Sequence, residues 1–235
     1  MLKHKRKDPR KPKQAAVIQA AAELFVQHGY DGTSTEMIAE RAGVSRQTIY
    51  NQFQSKEALF LAIAVDLVEE IFTPLGEAVE GTEDLRGALF AFAHNMLRKL
   101  LRPKTIAFHR LVITVAARFP ALALAVHEAT SVAIEEKVAA YLEKQSRLRL
   151  PDPAIAAQQF MALIVHPYPL KALLGIREDA DGPEMQCHLE AAVDTFVRAY
   201  GGDADRREGV RAELQPDSAD HRCTILVQPE ASSHP

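Results

Sequence analysis

Cysteine occurs only twice in this chain, at Cys187 and Cys223, so neither a disulfide framework nor a zinc-ligand spacing is available. That usage fits a reducing cytoplasm, which is the expected location. Glycine is scarce, at 11 of 235 residues, and leaves little material for a phosphate-cradling loop; no G-x-S-x-G elbow or Cys/His cluster occurs either. His127-Glu128 starts like a metalloprotease H-E-x-x-H, but Ser131 stands where the second ligand belongs. No apolar run reaches the roughly 18 residues of a membrane span. The basic start is followed by an amphipathic stretch and not by a continuous apolar one, so it does not read as a secretory signal. These absences argue against an enzyme, a metal site, a cofactor and a membrane partner.

What is present is an ordinary balance of 47% hydrophobic and 25% charged residues, enough for a substantial core. The net charge of −3 hides an asymmetry. Residues 1–13 carry seven Lys or Arg against Asp8, a net +6, which leaves −9 for the remainder. A basic arm on an acidic body suits a protein that presents one end to phosphate.

Helical periodicity dominates. Val17, Ala20, Ala21, Leu24 and Phe25 form a stripe at i, i+3, i+4 spacing and predict a first helix over about 12–28, ended by Gly29. Thr33 or Ser34 can cap a second helix, with Glu36 as a capping-box partner of Thr33; it stops at Gly43. Ser45 caps a third helix over about 46–52, and Ser55 a fourth that reaches about Phe72. Prolines punctuate further helices at about 83–101, 104–117, 121–147, 154–173 and 184–200. From Asp203 the composition turns polar and Pro-rich, which predicts a poorly ordered tail. The run 223–227 has strand character but no evident partner.

The third helix carries the chemistry. Ile49, Phe53 and Val44 face inward, whereas the spacing 46, 47, 50, 51 sets Arg46, Gln47, Tyr50 and Asn51 on one outer face. Arg pairs bidentately with guanine, and Gln or Asn with adenine. Thr48 suits a thymine methyl or a phosphate. Thr35 at the start of the second helix and Lys56 at the start of the fourth are placed for the flanking DNA backbone, where helix N-termini also offer free N–H groups.

The string Thr33-Ser34, Ile38-Ala39, Ala42-Gly43-Val44-Ser45, Thr48-Ile49-Tyr50, Phe53, Ser55-Lys56-Glu57, Leu59 resembles the helix-turn-helix signature of TetR-family transcriptional regulators over about 50 residues. One departure is Gln52, where many members of that family have a phosphate-contacting His. The resemblance implies that Thr35, Ser45, Arg46, Gln47, Thr48, Tyr50, Asn51, Gln52 and Lys56 form the DNA-binding surface. More faintly, Phe108-His109-Arg110-Leu111-Val112-Ile113, Arg118-Phe119-Pro120-Ala121-Leu122 and Lys171-Ala172-Leu173-Leu174-Gly175 resemble the family's AefR-like subgroup. In such proteins the C-terminal helices enclose an effector pocket, and the last two form a four-helix dimer interface. His166-Pro167-Tyr168-Pro169 departs from this pattern, because its prolines should interrupt a dimer-forming helix.

The expected architecture is all-α: a basic arm (1–13), a three-helix helix-turn-helix domain (14–55), a larger helical effector-binding and dimerisation domain (56–202) and a tail (203–235). Phe92, His94, Met96, Phe108, His109 and Ile113, on the two central helices, are the candidate effector-pocket residues by type. The expected function is a ligand-responsive repressor that binds a palindromic operator in double-stranded DNA as a homodimer. The alternative is a helical ligand-binding or interaction module whose DNA affinity is vestigial.

Overall fold

A computed structural model describes residues 12–72, 84–176 and 179–202. Most of the basic arm, the tail from residue 203 and the run 223–227 lie outside the described residues. The chain forms α1 (Pro12–Gly32), α2 (Thr35–Ala42), α3 (Arg46–Phe53), α4 (Lys56–Phe72), α5 (Leu85–Leu100) and α6 (Pro103–Ala116). It continues through α7 (Pro120–His127), a π turn (Glu128–Val132), α8 (Ala133–Glu143), α9 (Pro153–Val165), α10 (Tyr168–Leu173) and α11 (Pro183–Tyr200). Among the described residues the only β pairing is one bridge between Leu148 and Gly201. No helix there is long and apolar enough to cross a membrane.

Local chemistry sets the ends of the first four helices. Gly29 breaks the regular turn of α1 at φ 74°, a left-handed conformation that costs glycine little. The Thr33 hydroxyl then donates to the carbonyls of Leu24 and Gly29 at 3.1 and 2.8 Å. Thr33 is therefore not the cap of α2. Ser34 is, accepting from the Met37 N–H at 3.2 Å, so the capping box expected between Thr33 and Glu36 does not form. Gly43, at φ 65°, closes α2. Ser45 and Ser55 accept from Thr48 N–H and Ala58 N–H, each at 3.1 Å, and cap α3 and α4 as expected.

Two apolar clusters hold the molecule. The first joins Val17, Ala21 and Phe25 of α1, Ile38 of α2, Ile49 and Phe53 of α3 and Leu59, Phe60 and Ile63 of α4. It runs on into Phe108, Leu111 and Val115 of α6 and Leu122 and Val126 of α7. The second packs the end of α4, with Val68 and Ile71, against α5, α8, α9 and α11 around Phe92, Met96, Phe160 and Phe196. Phe25, Phe60, Phe92 and Phe160 are completely buried, each contributing about 1.5–3 kcal/mol by area. Helix α4 runs through both clusters. The cores thus divide the chain differently from a boundary at residue 55, because α6 and α7 pack into the core of the first three helices.

Two stretches read as single helices are interrupted. The span 121–147 is widened by the π turn between α7 and α8, with the Thr130 hydroxyl donating to the Val126 carbonyl at 2.8 Å. The span 154–173 breaks after Val165 and resumes at Tyr168, where Pro167 and Pro169 supply no N–H to continue the ladder.

Candidate DNA-reading helix and effector cavity

Helix α3 is anchored from below by Ile49 and Phe53, 1% and 6% exposed, and pinned at its start by Ser45. Its outer edge consists of Arg46, Gln47, Tyr50 and Asn51, all exposed. These four are linked in pairs one turn apart. The Gln47 Nε2 donates to Asn51 Oδ1 at 2.8 Å. Arg46 donates to the Tyr50 hydroxyl at 3.2 Å, and its guanidinium lies 5.3 Å above the Tyr50 ring. Such pairing limits the rotamers that a groove-reading side chain must give up on binding. Arg46 also meets Glu36 of α2 at 2.6 Å. Hydrogen bonds from Arg46 and then Thr35, with the Arg46 charge, pull the Tyr50 phenol below its ordinary pKa.

The other nominated residues are used differently. Ser45 and Thr48 share a 2.8 Å hydrogen bond and serve the cap of α3. Thr35 is buried, its hydroxyl donating to Glu36 at 3.3 Å. Gln52 is half-buried, with its Oε1 enclosed and unpartnered. Lys56 turns inward: its Nζ donates to the Tyr30 and Thr33 carbonyls at 2.9 and 3.1 Å and lies 4.3 Å from the Tyr30 ring centre. It ties the start of α4 to the end of α1. Beside it the Tyr30 hydroxyl donates to Glu57 at 2.8 Å. Burial, then Glu57, push the Tyr30 phenol well above its usual range. Past α3, Gln54 takes φ 65°, ψ −37°, a conformation side-chain-bearing residues rarely adopt.

A cavity of about 350 Å³ lies beneath, between α4, α6, α7, the π turn, α8 and α9. Leu67, Val68 and Ile71 of α4, Phe108 and Val112 of α6, Val126 and Ile134 give it an apolar wall. Thr105, His109, His127, Thr130, Ser131 and Glu135 supply its polar groups. Of the six nominated pocket residues, Phe108 and His109 line it. Phe92 and Met96 are wholly buried in the second core. His94 sits outside, 3.1 Å from Asp181 and stacked on Phe90. Ile113 points to solvent at 60% exposure. The contributions of α7, the π turn and α8 were missed, although Ala123, Val126, His127, Thr130, Ser131 and Ile134 repeat at helical spacing.

Residues 17–63 match the family model for bacterial regulatory proteins of the tetR family, and residues 87–202 match the AefR-like transcriptional repressor C-terminal domain. The Flavonoid-responsive Regulator FrrA is 33% identical, with 81% of this chain covering 98% of that one at a TM-score of 0.67. A TetR-family transcriptional regulator of Mesorhizobium loti is 29% identical, with 83% of this chain covering all of that one, also at 0.67. Matches to curated relatives are shorter. The transcriptional activator FasR of Mycolicibacterium smegmatis is 36% identical over 88 residues, 36% of this chain and 40% of that protein. RutR of Escherichia coli is 41% identical over 63 residues, 27% of this chain and 30% of that protein.

Proposed function

Because the chain belongs to the TetR family of bacterial transcriptional regulators, we propose that it is a ligand-responsive repressor that binds a palindromic operator as a homodimer. The observation that carries this reading is the outer edge of α3, where Arg46, Gln47, Tyr50 and Asn51 are exposed together on a helix capped and anchored at its base. Arg46 and the Gln47–Asn51 pair read base edges in the major groove, while Tyr50 and the N-termini of α2 and α4 face the phosphates. Lys56 acts one step removed, by holding the start of α4 in place. A C-terminal domain matching an AefR-like repressor supports repression as the direction of control.

Two copies meet through α9 and α11. These helices pack on each other through Phe160 and Phe196, whose rings are 4.8 Å apart. Outwardly they expose Ile155, Ala162, Ala191, Thr195 and Ala199 beside the polar Gln158, Gln159, Asp194 and Arg198, the mixed face that a second helix pair covers. The proline break after Val165 shortens α9 without removing this face. Dimerisation sets two copies of α3 in successive major grooves, about 34–36 Å apart.

The effector occupies the cavity below α4. Its wall includes Leu67, Val68 and Ile71, so a bound molecule presses on the helix that also carries Leu59, Phe60 and Ile63 into the first core. It shifts operator affinity only through different affinities for the two tilts of α4. FrrA, named as flavonoid-responsive, supports a small organic effector. Sedimentation of the protein with a duplex recovered from a random DNA pool tests the assembly. Two chains per duplex is the expected result; one chain per duplex contradicts the reading.

A further inference from the structure

We propose that the cavity takes an uncharged, largely apolar molecule carrying hydroxyl groups that donate hydrogen bonds, and rejects carboxylates. The proposal rests on the effector-cavity reading above and names the chemistry of its ligand. The polar side chains in the wall are mostly left with acceptors to offer. A backbone carbonyl only accepts, so the 2.9 Å contact of His109 Nδ1 with the Thr105 carbonyl puts the proton on Nδ1. In the neutral ring Nε2 is then left as an acceptor. The Thr130 hydroxyl donates to the Val126 carbonyl at 2.8 Å, and the Thr105 hydroxyl to the Lys99 carbonyl at 3.0 Å. Each hydroxyl hydrogen is committed to the protein, and each oxygen retains lone pairs. Glu135 accepts from Gln158 through Oε2 at 3.1 Å and keeps a second acceptor oxygen.

Among the described residues no Lys or Arg lines the cavity. Two cations on the helices around it are committed elsewhere. Lys99 donates to the Glu70 and Ile71 carbonyls at 2.8 and 2.9 Å, and Arg110 to the Leu173 and Ala172 carbonyls at 3.0 and 2.8 Å. A carboxylate would meet those acceptors and one anion, with only the Ser131 hydroxyl and the exposed His127 ring as donors and no Lys or Arg among the described lining residues, a costly arrangement for a charge leaving water. An ammonium would find one ring, Phe108, and one counter-charge, the half-buried Glu135 whose Oε2 already accepts from Gln158; what disfavours it is shedding its hydration against an otherwise largely apolar wall. A phenol or alcohol satisfies the acceptors and leaves its apolar body against Leu67, Ile71, Phe108 and Val112.

The test uses the full chain and four probes of one shape: hydroxystilbene, its methyl ether, the stilbene carboxylate and an aminomethyl stilbene. Because the chain has no tryptophan, stilbene fluorescence reports binding without protein background from indole. Hydroxystilbene is expected to bind about tenfold tighter than the ether, the difference one or two hydrogen bonds make, and the carboxylate weakest. His109→Phe should bring hydroxyl and ether to similar affinity. Thr130→Val, which keeps the side-chain shape, should narrow the gap in the same direction if the His109 variant does not fold. A carboxylate or ammonium probe that outranks the hydroxyl, equal binding of hydroxyl and ether, or no binding of hydroxystilbene overturns the proposal. Binding of the same preparation to duplex DNA is measured alongside. Its loss would instead defeat the regulator reading, and leaves the probe ranking to decide the ligand chemistry on its own.

Discussion

The ring of Phe108 in α6 lies 5.1 Å from the ring of Phe60 in α4, tilted by 37°. Phe108 is also a wall of the cavity below α4, while Phe60 packs edge-on against Phe25 and Tyr30 at 5.4 and 5.2 Å. A run of rings therefore connects the cavity to the core that carries α3. Tyr30 continues it to Phe119 at 5.3 Å, next to the ion pair between Arg118 and Asp31. The proposed effector response therefore has two candidate routes to α3: along α4 itself, and across this aromatic contact from α6.

Phe108→Leu tests the second route. It keeps most of the buried apolar volume, so the cost in stability is about 1–2 kcal/mol. Operator affinity without ligand should change little, and the ligand-induced change in that affinity should shrink. Titrations of labelled operator with and without ligand read both quantities. An undiminished response would confine the coupling to α4.

Arg46 is held by Glu36 at 2.6 Å, so in the proposed complex the carboxylate would compete with DNA for the guanidinium and repel nearby phosphate. Glu36→Gln should tighten binding severalfold at low salt, the scale of an exposed ion pair, and the gain should fade as salt rises. Unchanged affinity at low salt would mean that Arg46 is free to reach DNA despite Glu36.

Lys56 bonds to two backbone carbonyls at the end of α1. Lys56→Met should therefore lower the stability of the fold by about 1.5–3 kcal/mol, the range for hydrogen bonds from a charged donor. Urea unfolding measures it. Wild-type stability with a uniform loss of DNA affinity would return Lys56 to a direct phosphate contact.

Glu57 is held below its ordinary carboxylate range first by its own backbone N–H and then by the Tyr30 hydroxyl. A folded-state value lowered in this way gives stability that is complete above the unfolded value, about 4.3, and is lost as pH falls through the folded value. Tyr30→Phe should therefore destabilise the chain more at neutral pH than at pH 3. Urea midpoints for both proteins at the two pH values give the comparison; an equal gap at both would assign the loss to packing alone.

The first four helices were legible because their boundaries are made by neighbouring residues. Ser45 and Ser55 cap within one turn, and Gly29 and Gly43 end helices through their own backbone freedom. The cap of α2 was left open between Thr33 and Ser34 because the carbonyl partners of Thr33, Leu24 and Gly29, lie back in α1, outside any capping pattern. The π turn was invisible because Val126, Thr130 and Ile134 keep the i, i+4 spacing of a regular helix through it. Phe92 and Phe108 look alike in sequence, each a phenylalanine on a central helix. Only the packing of α8 and α9 over Phe92 makes one of them core and the other cavity wall. Lys56 illustrates the same limit for charge: its place at the start of α4 suggested phosphate, and the end of α1, which receives it, is 26 residues away in the chain.

Base reading by α3 in two half-sites is the central element of the proposed function. The most direct measurement is selection of bound fragments from a random DNA pool, run in parallel for the wild type and Arg46→Ala at near-physiological salt. The wild type should enrich a two-fold symmetric motif, and Arg46→Ala should lose preference at one base pair in each half-site, worth about 1–3 kcal/mol. No enriched motif from the wild type, or an identical motif from both proteins, would contradict it.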